Sequence, residues 1–157
     1  MMTRTLAGVV ILLLALTCAP AAEKPDFSGE WKLNTEKSDF GPLPGPSKAT
    51  EKTTHKEPKL HISATGVTDQ GEYSAEFDFT TDGQECKNTF VGNEMTSTVT
   101  WEGNRLVLKS KISFPGLEVT SEERWSLSDD GTVLTKSVHL SSDMGVADQT
   151  IVFEKQQ

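Results

Sequence analysis

The sequence predicts an all-β fold: a closed antiparallel up-and-down barrel of about ten strands with little or no helix. Three observations carry that prediction. Gly-containing turn signals punctuate the chain at Asp69-Gln70-Gly71, Asp82-Gly83, Gly92-Asn93, Glu102-Gly103-Asn104, Pro115-Gly116, Asp129-Asp130-Gly131 and Asp143-Met144-Gly145. The runs between them alternate apolar and polar residues with a period of two, as half-buried strands do. No segment sustains the 3.6-residue apolar period of an amphipathic helix. Hairpin-short connections favour pairing between sequence neighbours, and closing the sheet removes two exposed edges. A two-sheet sandwich with Greek-key crossovers is the alternative packing of the same strands.

The first strand is expected over 27–34. It is followed by the loop Gly41-Pro42-Leu43-Pro44-Gly45-Pro46, rigid because proline fixes φ and removes amide donors. The second, 48–55, turns at Glu57-Pro58 into the third, 59–65. In the fourth, 72–79, Tyr73, Ala75, Phe77 and Phe79 alternate with Glu72, Ser74, Glu76 and Asp78, giving one apolar and one acidic face. The fifth is 84–90. The sixth, 94–101, sets Met95, Val99 and Trp101 on one face and a threonine ladder on the other. The seventh, 105–114, aligns Leu106, Leu108, Ile112 and Phe114. The eighth, 118–127, aligns Val119, Trp125 and Leu127. The ninth, 133–140, aligns Leu134, Val138 and Leu140, and the tenth, 146–154, aligns Ala147, Ile151 and Phe153.

Residues 1–22 read as a secretory signal peptide and 23–157 as one barrel domain. Arg4 supplies the positive end, Leu6 to Leu16 the apolar region, and Ala19-Pro20-Ala21 the cleavage site. The apolar run is short for a transmembrane span. The expectation is an exported protein, periplasmic or extracellular, with no transmembrane segment. Lipidation at Cys18 is a second reading of the leader, although Ala15-Leu16-Thr17 fits a lipobox poorly. Cleavage after Ala21 removes Cys18 and leaves Cys86 alone, read as a small, inert residue. The formal charge of −8 becomes −9 when Arg4 leaves with the signal. That acidity argues against nucleic acid and anionic membrane surfaces, which require basic patches.

Phe27-Ser28-Gly29-Glu30-Trp31-Lys32-Leu33 places a Gly-x-Trp on the first strand. It resembles the opening of the lipocalin and fatty-acid-binding (calycin) superfamily, in which the tryptophan closes one end of the barrel beneath a cavity. The closing Ile151-Val152-Phe153-Glu154-Lys155 is similar to the last strand of small lipid-binding barrels. Gly29 to Asn34, Lys37 to Pro42 and Asp130 to Thr135 resemble segments of small exported bacterial lipocalin-like proteins. The chain departs from cytosolic fatty-acid carriers in having no candidate helix-turn-helix lid. It departs from secreted lipocalins in having no C-terminal helix. The ligand class therefore does not carry over.

An inside mixing apolar and polar residues is the pattern of a small-molecule site. The residues expected to line it are Phe77, Phe79, Leu108, Ser110, Ile112, Ser121, Glu123, Trp125, Lys136, Gln149 and Ile151, with Ser97 and Phe153 on the same faces. Glu123 and Lys136 belong to one hairpin and are expected opposite or diagonal to each other. They would form a polar end that orients an amphiphile's head group, with Lys136 facing an anionic one. The competing readings are an internal ion pair or a register in which both point outward.

His55, His61 and His139 read as surface residues; His55 and His61 fall on opposite faces of their hairpin, which a shared metal ion would not permit. The Asp129-Asp130-Gly131 turn lacks the spaced ligands of a calcium loop. No nucleophile elbow, phosphate-cradling loop, Cys-x-x-Cys or His-Glu-x-x-His is present, so neither a cofactor nor an enzymatic activity is expected. The expected function is binding of a small apolar or amphiphilic ligand. A protein-interaction or structural module with a filled barrel, and a barrel enzyme of unknown chemistry, are the alternatives.

Overall fold

The computed structural model describes residues 23–157; the expected leader, its expected cleavage site and Cys18 lie outside the described residues. Ten strands follow in order: β1 (Gly29–Leu33), β2 (Lys48–Lys56), β3 (Lys59–Thr68), β4 (Gly71–Thr80), β5 (Glu85–Phe90), β6 (Asn93–Glu102), β7 (Arg105–Phe114), β8 (Leu117–Leu127), β9 (Val133–Ser142) and β10 (Gly145–Lys155). Described helix is absent. The alternation anticipated in each run is present, because strand geometry sends successive side chains to opposite faces and only one face can leave water. On β3, for instance, Leu60, Ile62 and Ala64 are buried while the intervening residues are more exposed.

All strands belong to one antiparallel sheet in the order β4-β3-β2-β1-β10-β9-β8-β7-β6-β5. β1 pairs with both β2 and β10, with Trp31 opposite Glu51 on one side and Lys155 on the other. The remaining ladders join strands consecutive in sequence. The sheet wraps into a nearly closed barrel, and the sandwich alternative is excluded.

Closure differs from expectation at one seam. β4 and β5 lie side by side without a backbone ladder. The chain between them is diverted: the Thr81 amide donates to the Pro58 carbonyl at 2.7 Å and the Gly83 amide to the Val99 carbonyl at 2.9 Å. These bonds tie the connection to the β2–β3 turn and to β6 and splay the two strands. Side chains of β5 span the gap. Asn88 accepts from the Asp78 amide through Oδ1 at 2.8 Å and donates through Nδ2 to the Asp78 carbonyl at 3.0 Å. One carboxamide thus supplies the donor and acceptor that a paired strand would have offered. Cys86 Sγ accepts from the Thr80 amide at 3.3 Å.

The core closes one end of the barrel. Trp31 and Phe27 are fully buried, and Trp31 Nε1 donates to the Phe27 carbonyl at 3.0 Å. Phe27 also packs near Trp101, Trp125 and His55 at ring separations of about 6 Å. His55 is therefore not a surface residue: its side chain is 4% exposed and its Nε2 lies 2.9 Å from Glu57 Oε1. His61 and His139 do lie on the surface, against Asp78 and Asp148 respectively. Register places His55 opposite Leu60 and His61 opposite Thr54, on opposite faces. Trp101 belongs to this closed end, where Nε1 donates to Glu57 Oε1 at 3.1 Å.

Candidate functional site

Above the Trp31 floor the barrel holds a cavity of about 360 Å³, within the range of small-molecule sites, roughly 300–1,000 Å³. The residues lining it include Phe77, Phe79, Leu108, Ser110, Ile112, Ser121, Glu123, Trp125, Lys136, Gln149 and Ile151, all placed on inward faces from sequence, whereas Ser97 is buried without reaching the cavity. Sequence parity accounts for this, since each shares its strand's inward face with a buried apolar neighbour. Further lining comes from β2 to β6, including Ala49, Glu51, Ile62, Tyr73, Phe90 and Met95. Phe77 stacks on Phe79 with centroids 6.0 Å apart, and Phe90 lies 6.1 Å from Phe77, so one wall is aromatic.

The segment between β1 and β2 lies against this cavity as a strap rather than a pair of helices. Phe40, Pro44, Gly45 and Pro46 contribute to the lining. Asp39 and Thr150 exchange backbone hydrogen bonds at 2.7 and 2.8 Å, and Gln149 Nε2 donates to the Phe40 carbonyl at 3.0 Å. Gly45 presses on the Phe40 ring so closely that a Cβ there would sit 2.3 Å from it. The proline-rich loop thus covers the cavity at the end opposite Trp31.

The polar interior divides into two parts. Across β6, β7 and β8 the register aligns Ser97, Ser110 and Ser121 in one row. Ser97 Oγ and Ser110 Oγ are buried and hydrogen-bonded to each other at 2.7 Å. The charged part is formed by Glu51, Glu123 and Lys136. Lys136 stands opposite Trp125 and Glu123 opposite Val138, so Glu123 and Lys136 are diagonal neighbours on the inner face.

The principal partner of Lys136 is Glu51, a residue that sequence reasoning missed. Lys136 Nζ donates to Glu51 Oε1 at 2.8 Å and to Oε2 at 2.6 Å, with side chains 7% and 14% exposed. The ammonium also lies 3.8 Å from the Trp125 ring centroid and 5.0 Å from that of Phe153. A buried charge needs such compensation. The signal available was parity alone: Glu51 shares a face with Ala49 and Thr53, both buried.

Glu123 has no comparable partner. Its Oε2 accepts from Trp125 Nε1 at 2.8 Å, and Oε1 makes no hydrogen bond among the described residues. The carboxyl faces the cavity from deep inside the barrel. Burial pushes its pKa above the ordinary value; Lys136 and the Trp125 hydrogen bond oppose that rise, and Glu51 adds to it.

Among the described residues no group of three His, Cys, Asp or Glu side chains could hold a metal ion. No described helix is long and apolar enough to cross a membrane.

No protein-family model and no curated protein matches the chain in sequence. Solved structures do match in shape. A zebrafish ileal bile acid-binding protein, complexed with cholic acid, aligns with a TM-score of 0.57 at 18% identity, over 83% of this chain and 98% of that one. A secretory abundant heat soluble protein from Ramazzottius varieornatus aligns with a TM-score of 0.58 at 14% identity, over 87% and 99%. A Schistosoma mansoni fatty acid binding protein in complex with arachidonic acid aligns with a TM-score of 0.51 at 15% identity, over 83% and 96%. The fold is that of the fatty-acid-binding, lipocalin-like barrels.

Proposed function

We propose that this protein binds a small apolar or amphiphilic molecule inside its barrel, as a carrier, sequestering agent or sensor. The carrying observation is the cavity itself: aromatic and aliphatic walls surround a few interior polar groups, among them a carboxylate with an unbonded oxygen. A side-chain-filled core has no need of such groups, since burying them costs free energy. Neighbours of the same fold described as bile acid-binding and fatty acid binding proteins support binding over catalysis. The proposal extends to the leader: residues 1–22 direct export and are removed, leaving the barrel from residue 23 in the periplasm or outside the cell.

Native mass spectrometry of the protein purified from its host, followed by solvent extraction, tests the reading. A co-purified small molecule, or saturable quenching of tryptophan fluorescence by members of a panel of fatty acids, sterols, isoprenoids and aromatic pigments, is expected. An empty barrel with no saturable quenching would leave the interaction module as the better account. Intact mass of the same sample checks the leader, because an acylated N-terminal Cys18 would overturn the cleavage proposed after Ala21 or Ala22.

A further inference from the structure

We infer that the preferred ligand carries a protonated amine, not a carboxylate, on its apolar body, and that Glu123 receives it. This deepens the binding reading above and rests on it.

The argument starts from the charges that line the cavity. The interior cation, Lys136, is already satisfied by two hydrogen bonds to Glu51 and is flanked by the Trp125 and Phe153 rings. Two of its three N–H bonds are committed to Glu51 and the ammonium sits over the Trp125 ring, so an entering carboxylate would compete with Glu51 for it. That would leave three carboxyl groups around one ammonium in a low-dielectric space, where unpaired charge is expensive. An anionic ligand is thus rejected by a partner already in place.

An entering ammonium meets the opposite situation. Glu123 Oε1 is free, while Oε2 is fixed by the Trp125 indole, so the carboxylate is oriented before binding. Two carboxyl groups share one ammonium here, so an ionised Glu123 leaves the cavity with an excess negative charge, although Lys136 attracts it more than Glu51 repels it. Burial disfavours that ionised form in the empty cavity. A cation removes the cause of the penalty by pairing with it. The Ser121 hydroxyl, two residues away on the same inner face, offers a second acceptor within the row of serines. Phe77 and Phe79 give the apolar body a stacked aromatic wall.

The test uses three molecules of one chain length, decylamine, 1-decanol and decanoate, below their micellar concentrations at pH 7. Binding is read by calorimetry and by tryptophan fluorescence. Decylamine should bind about ten-fold or more tighter than decanoate, with decanol between them, the gap expected for one charge-assisted hydrogen bond. Glu123→Gln should cut decylamine affinity by about ten-fold while leaving decanol within about three-fold. Glu51→Gln, which releases Lys136, should raise decanoate affinity relative to decylamine. Circular dichroism and thermal unfolding establish that each variant is folded. Decanoate binding as tightly as decylamine, or a folded Glu123→Gln protein with unchanged decylamine affinity, overturns the inference but leaves a ligand-binding barrel. Failure of all three molecules to bind the folded wild-type protein overturns the binding reading and the inference with it.

Discussion

Lys136 on β9 reaches past β10 and β1 to Glu51 on β2, placing its ammonium 2.8 and 2.6 Å from the two carboxylate oxygens. The pair joins opposite sides of the ladder through which the sheet's two halves meet. Lys136→Met alone should destabilise the protein by about 3–5 kcal/mol, because it strands a buried carboxylate. Glu51→Leu combined with Lys136→Met should recover most of that loss. Urea unfolding of both single variants and the double variant measures the coupling. Strict additivity would show that the two groups do not sense each other.

Glu57 predicts an acid-labile floor. Burial raises its pKa, but hydrogen bonds from His55, Thr81 and Lys24 outweigh that effect and hold it at about 2, down from 4.5. A lowered folded pKa stabilises the fold above the unfolded value, and the contribution is lost as pH falls from about 4.5 towards 2. Asp130, held at about 2 by Ser128 and Thr132, loses its contribution over much the same range, starting from 3.8. Glu57→Gln should therefore lower Tm at pH 7 and flatten, without abolishing, the decline of Tm on acidification. A decline in the variant as steep as in the wild type would remove Glu57 as its source.

Asn88→Ala should loosen the β4–β5 seam. It removes both hydrogen bonds to the Asp78 backbone, each worth about 0.5–1.5 kcal/mol when well made. Hydrogen exchange should accelerate at the Asp78 amide by about ten-fold, with amides in the β7–β8 ladder changing much less. Uniform acceleration across the barrel would instead indicate global destabilisation.

Gly45→Ala should detach the strap. The added methyl would overlap the Phe40 ring at 2.3–2.5 Å, and relieving such overpacking costs about 1–3 kcal/mol. Phe40 should swing away from the cavity and weaken the Asp39–Thr150 bridge, read as faster exchange of the Asp39 amide. Unchanged exchange there would mean that the strap absorbs the methyl in place.

Strands and inward faces were legible because glycine turns and a period of two are local properties. Arg105 to Phe114 is read identically from sequence and structure, and Glu123 and Lys136 are diagonal, one of the two arrangements expected. Three features were not local. Lys-Ala-Thr-Glu-Lys-Thr-Thr-His-Lys on β2 shows little apolar bias, so the inward turn of Glu51 and His55 becomes visible only when the barrel curves around them. The β4–β5 seam depends on where Thr81 and Gly83 find carbonyl partners, at Pro58 in the β2–β3 turn and Val99 on β6, both distant from the Asp82-Gly83 turn signal. Residues 41–46 advertise rigidity through their prolines, but Phe40 and Gln149 determine where that rigid loop rests.

The seam has a bearing on how the chain reaches this shape. Among the described ladders, β1–β10 alone joins elements distant in sequence, and it lies in the interior of a sheet whose ends are β4 and β5. Reopening the chain at Asp82-Gly83 and linking its present ends would make β5 first and β4 last. Every ladder would then connect successive strands. The β1–β10 ladder would become local, while the side-chain contacts across the β4–β5 seam, Asn88 to Asp78 among them, would become distant in sequence. In the natural order the long-range closure is a backbone ladder between the first strand and the last, whereas in the permuted chain every ladder would join neighbours and the long-range closure would fall to the side chains of the seam.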